Sequence, residues 1–337
     1  MASTSYSSSM AENGINNVAS MSAARSKQKN APPTKHRDGF HLISNKPIQY
    51  DEVYNDKHQK KFTDITYKIS SVDSCARIAF NRPHVLHAFR PHTINEIRKA
   101  LQLASDDVRV AVIILTSEID PTTHNKKYTN AFCAGGDQTV RSNEGGYDDG
   151  TEEAPRLRVL DLQIQMRRCF KPIIAVVSGY AIGGGHILHM CSDLTLASTD
   201  AVFGQTGPRM GSFDAGYGST RMARLIGQKK AREMWFLCKF YNAQEALDMG
   251  LINAVFSPET LDGEVARWVR RIVMNSPTAV ACTKASLNAD EDGAAGIALM
   301  GGHMTRLFYL SEESQEGRDA YLQRRSPEFR KLPSSRL

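Results

Sequence analysis

Ala131-Phe132-Cys133-Ala134-Gly135-Gly136-Asp137 and, further on, Gly179-Tyr180-Ala181-Ile182-Gly183-Gly184-Gly185-His186 are the stretches on which the reading of this chain turns. Each glycine cluster follows a run suited to a buried strand, and glycine lets a backbone approach a ligand at angles other residues avoid. Two such clusters can expose backbone N–H groups, and a helix start adds a positive dipole end, so together they can cradle one oxyanion. Taken singly, each cluster reads more readily as an ordinary turn; it is their joint occurrence that points to a paired donor site. The second does not spell GxGxxG and no acidic residue is placed for a ribose, which rejects a dinucleotide site.

Outward from these clusters the pattern is α/β. Ile65 to Ile69 and Ala76 to Phe80 read as short strands joined by a turn near Ser74. After Pro91, the spacing of Ile94, Ile97 and Leu101 predicts a helix, and Val110 to Thr116 is a continuous apolar run of the buried-strand kind. A similar unit recurs with Ile173 to Ser178 as strand, the glycine turn, an apolar helix through Met190 and a strand over Leu194 to Ala197. Beyond Ala215 nearly everything reads as helix: Lys229 to Leu237, Ala243 to Met249, Leu261 to Met274, Thr278 to Asn288 and Ser311 to Arg324. The expected organisation is a disordered leader over 1–40, a layered α/β core over 62–258, a helical module over 259–330 and a tail over 331–337.

Of the 337 residues, 41% are hydrophobic and 23% charged, and the longest apolar runs fall far short of a membrane span. The net charge of +6 is modest, and Arg25, Lys27, Lys29, Lys35 and Arg37 put much of it in the leader, so charge does not suggest nucleic-acid binding. Six cysteines lie scattered without a CxxC pair, which fits a reducing compartment. His186 and His189 lie three apart without an acidic partner and read as helix packing rather than a zinc site; no metal is expected. Cys133 has no sequence evidence of a histidine base and reads as small-residue packing. The leader is rich in Ser, Ala and Asn and lacks the apolar core of a secretory signal; its composition leaves a plastid or mitochondrial transit peptide as the alternative. Ser335-Arg336-Leu337 varies the Ser-Lys-Leu address read by the peroxisomal import receptor, so the expected destination is the peroxisome.

Asn81-Arg82-Pro83, AFCAGGD at Ala131 to Asp137, GYAIGGGH at Gly179 to His186 and FGQTGP at Phe203 to Pro208 resemble, in order, the crotonase (enoyl-CoA hydratase/isomerase) superfamily over about 62–330. The resemblance implies a spiral of ββα units with a C-terminal helical module, an acyl-CoA substrate, a homo-oligomer (trimer or hexamer), and an oxyanion hole formed by the N–H groups of Gly136 and Gly184. The two glutamates expected of a hydratase are replaced by Ile187 and Gly207, and neither side chain can move a proton. The longer strings GQTGPRMGSFDAGYGS (Gly204 to Ser219), VLDLQ (Val159 to Gln163) and LFYLSEESQEGRDA (Leu307 to Ala320) are similar to the dihydroxynaphthoyl-CoA synthases within that superfamily.

That narrower resemblance implies a bound bicarbonate as base, held by residues matching Gln205, Thr206 and Trp235 in the gap left at Gly207. It implies Asp214 as proton relay, Ser212 as its orienter, and the phenols of Tyr147 and Tyr309 as donors to developing oxyanions. Arg141 and Arg324 would meet the substrate carboxylate or the coenzyme A phosphates, along a path shared by His87, Ala88, Ala134, Asp137 and Gln138. Thr139 stands where the subfamily can carry a basic residue, and His87 stands where many relatives have asparagine; both departures bear on nucleotide contact. The inserted stretch Glu118 to Thr129 is expected to alter a surface loop. Other readings are a peroxisomal crotonase acting on a different acyl-CoA and, from another class, a non-catalytic RNA-binding or scaffold protein, for which Gln205, Thr206, Asp214, Tyr309 and Trp235 together would be unneeded.

Overall fold

The computed structural model describes residues 39–51, 62–119, 130–142, 146–150, 156–213 and 216–332. The leader over 1–38, most of the inserted stretch, Asp214 and the C-terminal tripeptide lie outside these described residues. The chain divides into a unit ending at Ser44, in which Phe40–Leu42 form one 3₁₀ turn, and a unit from Asn45 to Leu337. All that follows concerns the second.

Among the described residues ten strands form two sheets. The larger contains β1 (Ile65–Ser70), β2 (Cys75–Phe80), β3 (Val112–Ser117), β5 (Ile173–Val177), β7 (Leu194–Ser198) and β10 (Ala254–Phe256), in that spatial order. β1 and β2 are an antiparallel hairpin, and every other neighbour pair is parallel. The smaller contains β4 (Ala131–Cys133), β6 (Tyr180–Ile182), β8 (Val202–Gly204) and β9 (Phe240–Asn242), parallel except at the β8–β9 edge. The chain therefore spirals: β3, β5 and β7 each run into the large sheet, and β4, β6 and β8 then follow in the small one.

The large sheet is covered on both faces, which is why its strands read as unbroken apolar runs rather than alternating ones. Ile113 and Leu115 of β3 face the main core, while Val112 and Ile114 face the other way, toward Leu261, Val265 and Val269. Those three residues belong to α6 (Pro258–Val273), and their spacing is that of one helical face. On the opposite side α1 (Pro91–Asp106) buries Ile94, Ile97, Leu101 and Ala104 by the same rule.

The remaining helices are α2 (Val159–Arg168), α3 (Gly184–Cys191), α4 (Tyr217–Leu237), α5 (Ala243–Asp248), α7 (Pro277–Asp292), α8 (Ala294–Phe308) and α9 (Glu312–Leu322). The α/β class and the C-terminal helical region match expectation, and three details do not. Helix α4 begins twelve residues before Lys229 and is interrupted at Gly227 (φ 78°, ψ 157°), so that only its second half carries a legible helical pattern. Helix α8, which contains Gly296, Gly301 and Gly302 and buries only the first of them, is not among the helical stretches named from sequence. The region after Ala215 is also not purely helical, because β9 and β10 each place three residues on a sheet edge. Among the described residues no helix is long and apolar enough to cross a membrane.

Candidate functional site

β4, β6 and β8 run parallel and end together, so the three turns that leave them converge. Ligands in parallel sheets bind beyond the carboxyl ends of the strands, and here Ala134–Gly136, Gly183–Gly184 and Gln205–Gly207 line one side of a cavity of about 670 Å³. Leu157, Val159 and Leu160 from the start of α2 form another wall, with Ser212, Phe213 and Gly216 at the approach to α4 and Trp235 within it.

The two glycine turns present their N–H groups by different means. Phe89 N–H donates to Gly135 C=O (2.8 Å) and Phe89 C=O accepts from Asp137 N–H (2.8 Å). A trans peptide sets the carbonyl of one residue and the N–H of the next in opposite directions, so the Gly136 N–H is turned away from Phe89. Gly135 (φ 91°) adopts a conformation that a Cβ would strain, and the space it leaves empty brings the Gly184 nitrogen within 3.2 Å of where that Cβ would stand. Gly184 opens α3, where the first N–H groups have no intrahelical acceptor, and Gly183 (φ 55°) makes the entry. Two N–H donors thus face one volume, suited to a carbonyl oxygen on which negative charge develops.

Asp137, expected along the coenzyme A path, does not line the cavity. Its side chain is 6% exposed and pairs with Arg82 (3.0 Å), while the Thr139 hydroxyl and N–H donate to its other oxygen at 2.7 and 3.1 Å. Burial pushes this carboxyl up, but the Thr139 and Arg82 contacts outweigh it and hold the group below the usual carboxylate range. Asp137 therefore braces the turn that carries Gly136. His87 and Ala88 are likewise turned inward: His87 (φ 56°) accepts from Arg82 N–H through Nδ1 at 3.1 Å, and the Ala88 carbonyl accepts from the Arg82 guanidinium. Burial lowers the His87 imidazole to about 4.

Gln138 lines the cavity and donates through Nε2 to Gly136 C=O (2.9 Å) and to the Tyr147 phenol (2.8 Å), which brings Tyr147 over the first glycine turn. Arg141 donates to the carbonyls of Met210 (2.9 Å) and Gly211 (2.8 Å), strapping the turn just ahead of Ser212. Gln205 is almost wholly buried and reaches Gly183 C=O at 3.4 Å. A side chain at Gly207 would strike Ser212 C=O at 2.7 Å and meet the Trp235 ring at 3.2 Å, so glycine is required there by space. Trp235 presents its ring edge to Gly207 and directs its indole N–H to Gly218 C=O (3.3 Å).

Two residues predicted for the site stand apart from it within one chain. Tyr309, just beyond α8, is 66% exposed, and Arg324, just beyond α9, is exposed in a left-handed conformation (φ 53°); neither lines the cavity. Phe89, unremarked in the sequence, is the piece that joins the two turns. Its only prior signal was an aromatic in HAF beside the Asn81-Arg82-Pro83 motif. The other bland readings are placed as follows. Cys133 is fully buried and burial pushes its thiol up to about 12, so no thiolate is available for attack. His186 and His189 meet through ring nitrogens at 3.2 Å in the core.

Among the described residues, the cavity wall contains no Asp, Glu, His, Lys or Arg; its only polar side chains are Gln138, Tyr147, Gln205, Thr206, Ser212 and the Trp235 indole. Among the described residues it is a lined oxyanion site whose wall carries no carboxylate or imidazole. A layered α/β spiral with paired backbone donors at the ends of parallel strands defines the class of protein. The enoyl-CoA hydratase/isomerase family model matches residues 71–332, and the chain belongs to that family, within the crotonase superfamily. Similar solved structures include an enoyl-CoA hydratase subunit I from Geobacillus kaustophilus HTA426 (29% identity, 80% of this chain and 98% of that one, TM-score 0.61). Another is an enoyl-CoA hydratase from Mycobacterium smegmatis (27% identity, 79% and 98%, TM-score 0.60). DspI of Pseudomonas aeruginosa, at 19% identity over 81% of this chain and 99% of that one (TM-score 0.62), shares the fold.

Proposed function

We propose that the chain is a 1,4-dihydroxy-2-naphthoyl-CoA synthase, closing the second ring of o-succinylbenzoyl-CoA in naphthoquinone biosynthesis. The observation that carries this reading is Ile187 and Gly207 on the cavity wall at the positions of the two hydratase glutamates, in a wall that carries no acidic or basic side chain among the described residues. Adding water across a double bond needs groups that move protons at fixed positions, and an isoleucine and a glycine leave that reaction without them. The wall residues fit a small anion instead: Gln205 and Thr206 offer an amide and a hydroxyl on the cavity wall next to Gly207, where no carboxylate side chain occupies the cavity, and Trp235 lines the same wall. Bicarbonate, when bound there, supplies the carboxylate-type base that the glycine leaves out.

The chain's own residues do the rest. The substrate thioester oxygen is received by the N–H groups of Gly136 and Gly184, which stabilise the enolate formed when the succinyl carbon alpha to the thioester loses its proton. That carbon then bonds to the aromatic carboxyl carbon of the same molecule, water leaves, and tautomerisation yields the dihydroxynaphthoyl ring. The Tyr147 phenol, next to Gly136, is positioned to donate to developing oxyanions. Ser212 and Asp214 are assigned the carboxylate side of the substrate and its proton relay. The chain is further assigned to a homo-oligomer, trimer or hexamer, which the exposed apolar side chains Ile297, Met304, Phe308 and Leu310 around Tyr309 support.

The test is formation of 1,4-dihydroxy-2-naphthoyl-CoA from o-succinylbenzoyl-CoA by purified protein of measured oligomeric mass, followed by absorbance with and without added bicarbonate. Product that depends on bicarbonate is expected. No product from a folded oligomer would overturn the reading and move it to another acyl-CoA.

A further inference from the structure

Asp149 is a half-buried loop residue whose carboxylate is sealed from solvent. Its side chain is 1% exposed, whereas its neighbours Asp148 and Gly150 are open to solvent. Its Oδ2 accepts a hydrogen bond from the His92 N–H at 3.0 Å and lies 3.9 Å from the Arg90 guanidinium. His92 is in the first turn of α1, where N–H groups lack intrahelical acceptors and the helix end favours negative charge. Arg90 is itself fixed by two hydrogen bonds to Asp64, at 2.8 and 2.9 Å. The loop carboxylate thus docks into a prepared electropositive corner, which offsets its desolvation.

Two residues earlier in the same loop is Tyr147. The segment is extended and laddered on its inner side: Arg141 pairs with Tyr147 as an antiparallel bridge, and Asp148 N–H donates to Val140 C=O at 2.9 Å. In extended chain, residues i and i+2 project to the same side. Anchoring Asp149 inward therefore turns Tyr147 inward as well, and the Tyr147 oxygen lies 2.5 Å from where a Gly136 side chain would begin. That phenol also accepts a hydrogen bond from Nε2 of the exposed Gln138.

We propose that Asp149 is a positioning residue that seats the Tyr147 phenol over the Gly136 turn by docking on the N-terminus of α1. The use of that phenol in turnover rests on the proposed function; the docking itself does not. A carboxylate that merely capped α1 would stabilise the helix without regard to Tyr147, and this difference makes the two roles separable.

The experiment uses the full chain with Asp149→Ala and the milder Asp149→Asn, each alone and combined with Tyr147→Phe. It reads kcat and KM on o-succinylbenzoyl-CoA and, independently, amide hydrogen exchange over 146–150 and over α1. Misplacing a reacting group by about an ångström costs roughly ten- to a hundredfold in rate, so Asp149→Ala should lower kcat by about tenfold with little change in KM. In the Tyr147→Phe background it should lower kcat no further, and exchange over 146–150 should quicken while α1 beyond its first turn is unchanged. An equal further loss in the Tyr147→Phe background, or unaltered exchange over 146–150 in both variants, would overturn the proposal. If the wild-type chain makes no naphthoyl product, the functional reading fails, and the exchange data alone decide whether Asp149 docks the loop.

Discussion

The two turns that face the cavity look alike in sequence and are built differently. The first, Gly135–Asp137, is held from outside: Phe89 bonds to it on both sides of Gly136, and the buried Arg82–Asp137 pair fixes its far end. The second, Gly183–Gly184, is held by its own continuation, since α3 follows directly and aims the N–H along its axis. One donor is aimed by backbone bonds to Phe89, the other by a helix start that only glycine can enter, since Gly183 takes φ 55° and a Cβ on Gly184 would strike Phe89. Two donors of the same chemistry therefore respond to different mutations.

The largest difference should appear when each glycine receives a methyl group. A Cβ on Gly184 would run into the ring of Phe89, which is 2% exposed and packed in the core, while a Cβ on Gly136 would meet the phenol end of Tyr147 at 2.5 Å. The phenol can swing away and the core ring cannot. Losing one oxyanion donor costs about 10²–10³ in kcat, and Gly184→Ala should reach that range. Gly136→Ala should cost no more than Tyr147→Phe. The steric origin is checked by adding Phe89→Leu to Gly184→Ala, which should restore part of kcat; a double variant as slow as the single one would refute it.

A smaller effect is expected where the first turn alone is braced. Asp137→Asn keeps the shape of the side chain but removes the charge facing Arg82. Hydrogen bonds to charged groups contribute about 1.5–3 kcal/mol, so urea denaturation should show roughly 2 kcal/mol of lost stability. The accompanying fall in kcat should be about tenfold, with KM for substrate little changed because Asp137 does not line the cavity. A pronounced rise in KM at unchanged stability would instead return Asp137 to the coenzyme A path.

How much of this was legible in the sequence follows the same contrast. The long strands and amphipathic helices were readable because β3 and β5 are continuous apolar runs and α1 carries a helical period. β4, β6 and β8 were not, since three residues are too few to show a pattern, yet their shared direction is what gathers the site. The glycine clusters were visible as such, but Gly136 and Gly184 were named as donors only through the resemblance to the crotonase superfamily. Asp137 and His87 were misplaced, because residue type does not reveal whether a polar group points into a cavity or toward Arg82. Tyr309 and Arg324 stand at the ends of α8 and α9, where one chain cannot bring them to the wall, and Phe89 became significant only through its two backbone bonds.

Acid should separate the two turns at the scale of about one kcal/mol. Beneath the second lie His186 and His189, both fully buried; burial lowers His186 to about 3 and, with His186 adding to it, lowers His189 as well. Both are neutral when folded, so protonation near pH 6.5 in the unfolded chain favours unfolding, and their contribution is complete above about 6.5 and declines as pH falls below it. Each can add a slope of up to about 1.4 kcal/mol per pH unit. His87, beside the first turn and lowered to about 4, adds in the same sense, but Asp137 acts in the opposite range. Its lowered carboxyl pKa stabilises the fold above the unfolded value and is lost only as pH falls below about 4. Denaturant titrations at pH 7.5, 6.5, 5.5 and 4.5 should therefore show stability falling from pH 6.5 downward. His189→Gln should flatten that fall by up to about 1.4 kcal/mol per pH unit, while Asp137→Asn should leave the slope above pH 4.5 unaltered. A slope in the wild type that His189→Gln does not change would mean that these imidazoles titrate alike in the folded and unfolded chains.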